Sequence, residues 1–110
     1  MIVVFETKRS FLHSYVNPRN GAVHQESMML PEGYTSVGNN LGIKYLAPKK
    51  TMNVFYLRSA KKRYGVVYTY DDVPETECDK IVKMGPGAEG YLAHEFQEKY
   101  KLTGSGMLNI

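Results

Sequence analysis

The 110 residues hold one cysteine, Cys78, and no tryptophan. A lone cysteine excludes a disulfide within the chain and points to a reducing compartment. No long hydrophobic run is present. The N-terminal MIVVF is apolar for four or five residues, has no basic leader before it, and is too short for a signal-peptide core or a membrane span. The expectation is a soluble, cytoplasmic protein with no membrane partner. Missing as well are GxxxxGK[ST] and any clear metal-ligand spacing, so neither cofactor nor metal is expected.

One further absence organises the rest. Between Tyr34 and Tyr70 there is no Asp or Glu, while seven bases occur: Lys44, Lys49, Lys50, Arg58, Lys61, Lys62 and Arg63. Six of the nine tyrosines fall in the same stretch. Residues 1–33 balance three acids against three bases, and residues 71–110 set eight acids against four bases. The net charge of +3 therefore conceals a +7 segment followed by a −4 segment. Asymmetry of this kind speaks about partners more than about fold.

The chain is long enough to bury a core without disulfides or metals, as a single domain over residues 1–110. Residues 2–7 (IVVFET) are β-branched and aromatic and read as a first strand, with a turn at residues 8–10. Residues 11–16 read as a second strand and residues 22–30 as a third, joined by the turn NPRNG. A short helix competes for 22–30, because Gln, Glu and Met favour it. Residues 31–40 are loop-like, 42–46 a short strand, and MNVFYL and YGVVYTY the two arms of a hairpin. In the second arm Tyr64, Val66, Tyr68 and Tyr70 share a face that is either core or displayed.

At Asp71 the pattern changes to helix. Acids and Pro74 suit a first turn, and the helix is expected to run to Met84 with Cys78, Ile81, Val82 and Met84 as its buried stripe. A second helix is expected over residues 88–101, where Ala88, Leu92, Phe96 and Tyr100 recur every four residues with Ala93 beside them. The strand-rich part is thus residues 1–70 and the helical part 73–101. Residues 103–110 form a short tail that either adds a strand or frays. Strands first and helices last indicate α+β: a mostly antiparallel sheet of five or six strands with two C-terminal helices packed on one face.

Five features invite chemistry. Foremost is the hairpin. Clustered Lys and Arg favour phosphate backbones through counterion release, and single strands also stack their bases on aromatic rings. Lys49, Lys50, Arg58, Lys61, Lys62 and Arg63 are the candidate phosphate contacts, and Tyr56, Tyr64 and Tyr68 the candidate stacking rings. The plain alternative is a solvated tip whose lysines deter aggregation. His13 and His24 come near each other if NPRNG closes a hairpin, which would suit acid–base catalysis or a metal, with Glu26 close; half-exposed strand histidines are the ordinary reading. Gly85-Pro86-Gly87 reads as a helix–helix turn rather than a phosphate loop, and Cys78 as a small core residue. The acidic segment 71–79 suits a basic partner, a second copy of the chain, or a solvated helix start.

The function expected from these residues is that of a small, basic, non-enzymatic binding protein engaging nucleic acid through the hairpin at residues 52–70. The alternative is a protein-interaction module, an inhibitor or regulator of another protein, possibly a homodimer. A third reading is a small nuclease or hydrolase using His13 and His24.

Overall fold

The computed structural model of the protein describes residues 10–38 and 40–110, apart from the side chains of residues 10–12, 15, 26 and 27. The strand expected over residues 2–7, and most of the turn after it, lie outside those residues.

Strands β1 (Ser10–Val16) and β2 (Val23–Met29) pair antiparallel into a two-stranded ribbon. The NPRNG turn closes it by backbone bonds from Asn17 N to the Ala22 carbonyl and from Gly21 N to the Asn17 carbonyl, each 2.8 Å. The Asn17 and Asn20 side chains accept the Arg19 and Ala22 amides at 2.9 Å, and Gly21 takes φ +70°, where a side chain is disfavoured. Residues 23–29 are therefore strand, and the competing helix is not formed.

Among the described residues the main sheet has five antiparallel strands in sequence order: β3 (Thr35–Ser36), β4 (Leu41–Leu46), β5 (Thr51–Ser59), β6 (Tyr64–Tyr70) and β7 (Leu102–Asn109). Helices α1 (Glu75–Met84), α2 (Ala88–Ala93) and α3 (Glu95–Lys99) are inserted between β6 and β7. The fold is α+β. The tail of the chain is a strand, paired along the whole of β6.

One sheet face is apolar under the helices. Leu41 and Ile43 of β4, Met52 and Val54 of β5 and Tyr70 of β6 are buried with Val73, Cys78, Ile81, Ala88, Tyr91, Leu92 and Phe96. Burial of each large side chain contributes about 1.5–3 kcal/mol. The stripe of α1 is narrower than expected. Cys78 and Ile81 are buried, whereas Val82 and Met84 stand 40% and 37% exposed. The expected helix over 88–101 is also corrected. It breaks at His94 (φ −120°, ψ −76°), which separates α2 from α3. Beyond the break Phe96 is fully buried, edge-on to Tyr70 at 4.8 Å and tilted on Tyr100 at 4.7 Å.

The opposite sheet face holds a second, smaller core. Phe55 lies beneath Met28, Leu30 and Tyr34, which descend from the end of β2 and the loop after it. Gly65, opposite Leu57 on this face, makes room for Phe55. A Cβ there would stand 2.4 Å from the Phe55 ring and 2.3 Å from the Tyr56 carbonyl oxygen. Among the described residues, no helix is long and apolar enough to cross a membrane.

Candidate nucleic-acid interface

The expected hairpin is formed by β5 and β6, in register from Met52 opposite Tyr70 to Ser59 opposite Tyr64. The register shifts between Leu57 and Ser59, so Arg58 occupies a bulge. The turn of residues 60–63 is tied down on both sides. The Ser59 hydroxyl accepts the Lys62 amide at 3.1 Å, and the Arg63 carbonyl accepts the Ile110 amide at 2.8 Å. Lys61, Lys62 and Arg63 are all exposed on this turn, and Arg58 is exposed just below it.

Lys49 and Lys50 do not join them. They lie in the connection that leads into β5, a 3-10 turn over Ala47–Lys49 followed by Lys50 at φ 50°. The nine residues of β5, at about 3.4 Å each, set the two basic groups roughly 30 Å apart. Sequence proximity suggested one patch; the extended strand between them makes two. At the Lys49 and Lys50 end the Thr51 hydroxyl donates to Asp71 at 3.3 Å, and the Val73 amide donates to the Lys50 carbonyl at 2.8 Å. Asp71 and Asp72 therefore flank these two lysines.

The tyrosines of the hairpin face the helices. Tyr56 and Tyr68 meet edge to face at 5.6 Å, and the Arg58 guanidinium donates to the Tyr68 hydroxyl at 3.2 Å. These three residues line one wall of an open groove of about 500 Å³. Tyr70, Ala93, Gln97, Tyr100 and Leu102 complete it. Burial, reinforced by the nearby Tyr70, Glu89 and Tyr68 and opposed by Arg58, pushes the Tyr56 phenol up to about 12. Its hydroxyl therefore stays protonated and able to donate through the neutral range. Tyr64 is half-buried opposite Ser59, beside the turn, and is not part of the groove lining.

Gln97 and Tyr100 were missing from the residues expected at the site. Tyr100 had a signal, since it lies on the same four-residue stripe as Leu92 and Phe96 and so must face the sheet. Gln97 had none, because its place depends on the break at His94.

The remaining candidates do not line the groove. In the ribbon His13 pairs with Glu26 and His24 with Tyr15, so the two histidines are a diagonal step apart rather than directly opposed. His13 Nδ1 lies 3.0 Å from Asn40 Oδ1. Among the described residues, no group of three or more His, Cys, Asp and Glu is placed to hold a metal ion. Cys78 is buried in the main core, where burial and then the neighbouring Asp79 and Glu75 push its thiol up to about 11. Gly85–Gly87 is a 3-10 turn between α1 and α2. In the acidic segment Glu77 accepts a hydrogen bond from the Tyr91 hydroxyl and so serves the fold.

No family model, curated protein or solved structure matches the chain.

Proposed function

We propose that the protein is a small non-enzymatic binding protein that engages nucleic acid through the β5–β6 hairpin. The carrying observation is the position of Arg58. It sits between the exposed Lys61, Lys62 and Arg63 turn and the Tyr56–Tyr68 pair, so charge and rings belong to one continuous surface. The turn bases contact phosphates, and Arg58 leads the strand toward the rings. Lys49 and Lys50 play a minor part, because Asp71 and Asp72 share their end of the sheet.

The test is binding of labelled single-stranded RNA, single-stranded DNA and duplex DNA at two salt concentrations. Micromolar or tighter binding that falls steeply with salt is expected. Absence of binding at low salt refutes the proposal.

One observation favours a second reading, a protein-interaction module. Among the described residues β7 stands at the edge of the sheet, is exposed over most of its length, and contains no charged residue or proline across its eight residues. Such an edge suits addition of a strand from a partner or a second copy. This reading predicts a dimer mass, or a complex with a protein, in light scattering and no affinity for nucleic acid.

A further inference from the structure

We infer that the groove between the β5–β6 hairpin and α3 is a base pocket, taking one unstacked nucleobase of a single strand with that nucleotide's phosphate on Arg58. The inference rests on the nucleic-acid reading above and specifies it as single-stranded recognition.

Three features of the lining point to such a ligand. The first is size and composition. About 500 Å³ bounded mainly by tyrosine rings, Leu102 and Ala93 lies within the ~300–1,000 Å³ range of small-molecule sites, and aromatic walls suit a flat π-system. The second is the set of polar groups. Gln97 supplies an amide donor and acceptor on the helix side, the same pairing of groups that a base edge presents. The Tyr56 and Tyr70 phenols, both pushed up chiefly by burial, remain hydrogen-bond donors. The third is charge. Arg58 is the cation in the lining, and the Glu89 carboxylate acts on Tyr56 from nearby. An anionic ligand group therefore belongs on Arg58, with the uncharged ring deeper, between sheet and helix.

Arg58 also connects the pocket to the basic turn. It is separated from Lys61 by two residues, so a phosphate on Arg58 and the next phosphates along a strand meet the turn bases in succession. A paired base has both faces stacked within the duplex and cannot enter without being extruded, which costs a few kcal/mol. Single strands enter freely. The pocket thus divides the labour: the turn supplies salt-dependent affinity for any backbone, and the groove supplies preference for unpaired bases.

The experiment titrates the full chain with adenosine, cytidine, guanosine and uridine monophosphates, with the corresponding nucleosides, with inorganic phosphate, and with eight-nucleotide single strands and their duplex. Without tryptophan, intrinsic fluorescence reports on tyrosine alone, and a base stacked in the groove quenches it. The monophosphates are expected to quench, the nucleosides more weakly, and phosphate hardly at all. Tyr68→Leu is expected to weaken single-strand binding about ten-fold with an unchanged salt slope and to leave duplex binding alone. Arg58→Gln lowers the salt slope by about one. Because Tyr68 is half-buried, the exposed Gln97→Ala is the second variant, expected to change the ranking of the four monophosphates while melting like wild type.

Wild-type quenching and single-strand affinity in Tyr68→Leu, Arg58→Gln and Gln97→Ala together, beside weakened binding in the Lys61, Lys62 and Arg63 triple variant, would overturn the base pocket and leave the hairpin reading standing. Failure of the unmodified protein to bind any strand at low salt would overturn both.

Discussion

At one end of β5, Lys61, Lys62 and Arg63 stand exposed on a short turn that the Ser59 hydroxyl and the Ile110 amide hold in place. At the other end, Lys49 and Lys50 share the sheet margin with Asp71 and Asp72, which the fold brings in as β6 ends. Roughly 30 Å of strand separates the two groups, several times the ~8 Å screening length at physiological salt, so each end acts by itself. The comparison shows why a count of bases along the chain overstates the surface. All of these bases come from one acid-free stretch, yet the acids next in sequence fold back against only one of the two groups.

The largest effect should come from removing the group on the turn. Lys61→Ala, Lys62→Ala and Arg63→Ala combined are expected to weaken strand binding on the order of a hundred-fold at low salt and to lower the log–log salt slope by about 2 to 3, as measured by fluorescence anisotropy. Next in size is a structural change close to that turn. Gly65→Ala forces a methyl against the Phe55 ring and the Tyr56 carbonyl and should cost about 1–3 kcal/mol in urea unfolding, reducing binding only as the hairpin loosens. At the opposed end, Asp71→Asn with Asp72→Asn should release Lys49 and Lys50 and raise affinity a few-fold, with a steeper salt slope. Smallest of the binding effects is Lys49→Ala with Lys50→Ala, expected to change affinity by less than about two-fold.

Alkali supplies a test of the buried groups near both ends. The Tyr56 phenol rises from 10.0 to about 12, and the Cys78 thiol from 9.0 to about 11. Each folded value lies above its unfolded one, so between the two the unfolded chain has released a proton that the folded chain keeps. Their contribution is fully present below pH 9, begins to fall there, and is lost by about pH 12. Thermal melting from pH 8 to pH 12 should show this decline. Tyr56→Phe should reduce the upper part of it, which the other raised tyrosines share, and Cys78→Ala the lower.

Much of the scaffold was legible in the chain. Asn17, Pro18 and Asn20-Gly21 announced the first ribbon, because each residue type satisfies a particular backbone demand of that turn. The alternation of Tyr64, Val66, Tyr68 and Tyr70 announced β6, whereas the register of the hairpin, with its shift between Leu57 and Ser59, was not legible. What stayed hidden depended on tertiary placement. Nothing at His94, neither Gly nor Pro, marks the helix break, and with it the position of Gln97 was beyond reach. The tail of residues 103–110 offered Gly, Ser and Thr, and its strand state follows from the free margin of β6 rather than from local preference. Of the nine residues expected at the binding surface, Tyr56, Arg58 and Tyr68 meet in the groove and Lys61, Lys62 and Arg63 are exposed on the hairpin turn. Lys49 and Lys50 lie at the far end of β5 from the turn, because sequence separation ignores the reach of an extended strand, and Tyr64 stands beside the turn rather than in the groove.

The most direct measurement is the salt dependence of single-stranded RNA binding for three proteins side by side: the unmodified chain, the Lys61, Lys62 and Arg63 triple variant, and the Lys49 and Lys50 double variant. The account predicts a steep slope for the unmodified chain, nearly the same slope for the double variant, and a slope lower by about 2 to 3 for the triple variant. Equal slopes for all three, or a larger loss in the double variant than in the triple, would contradict it.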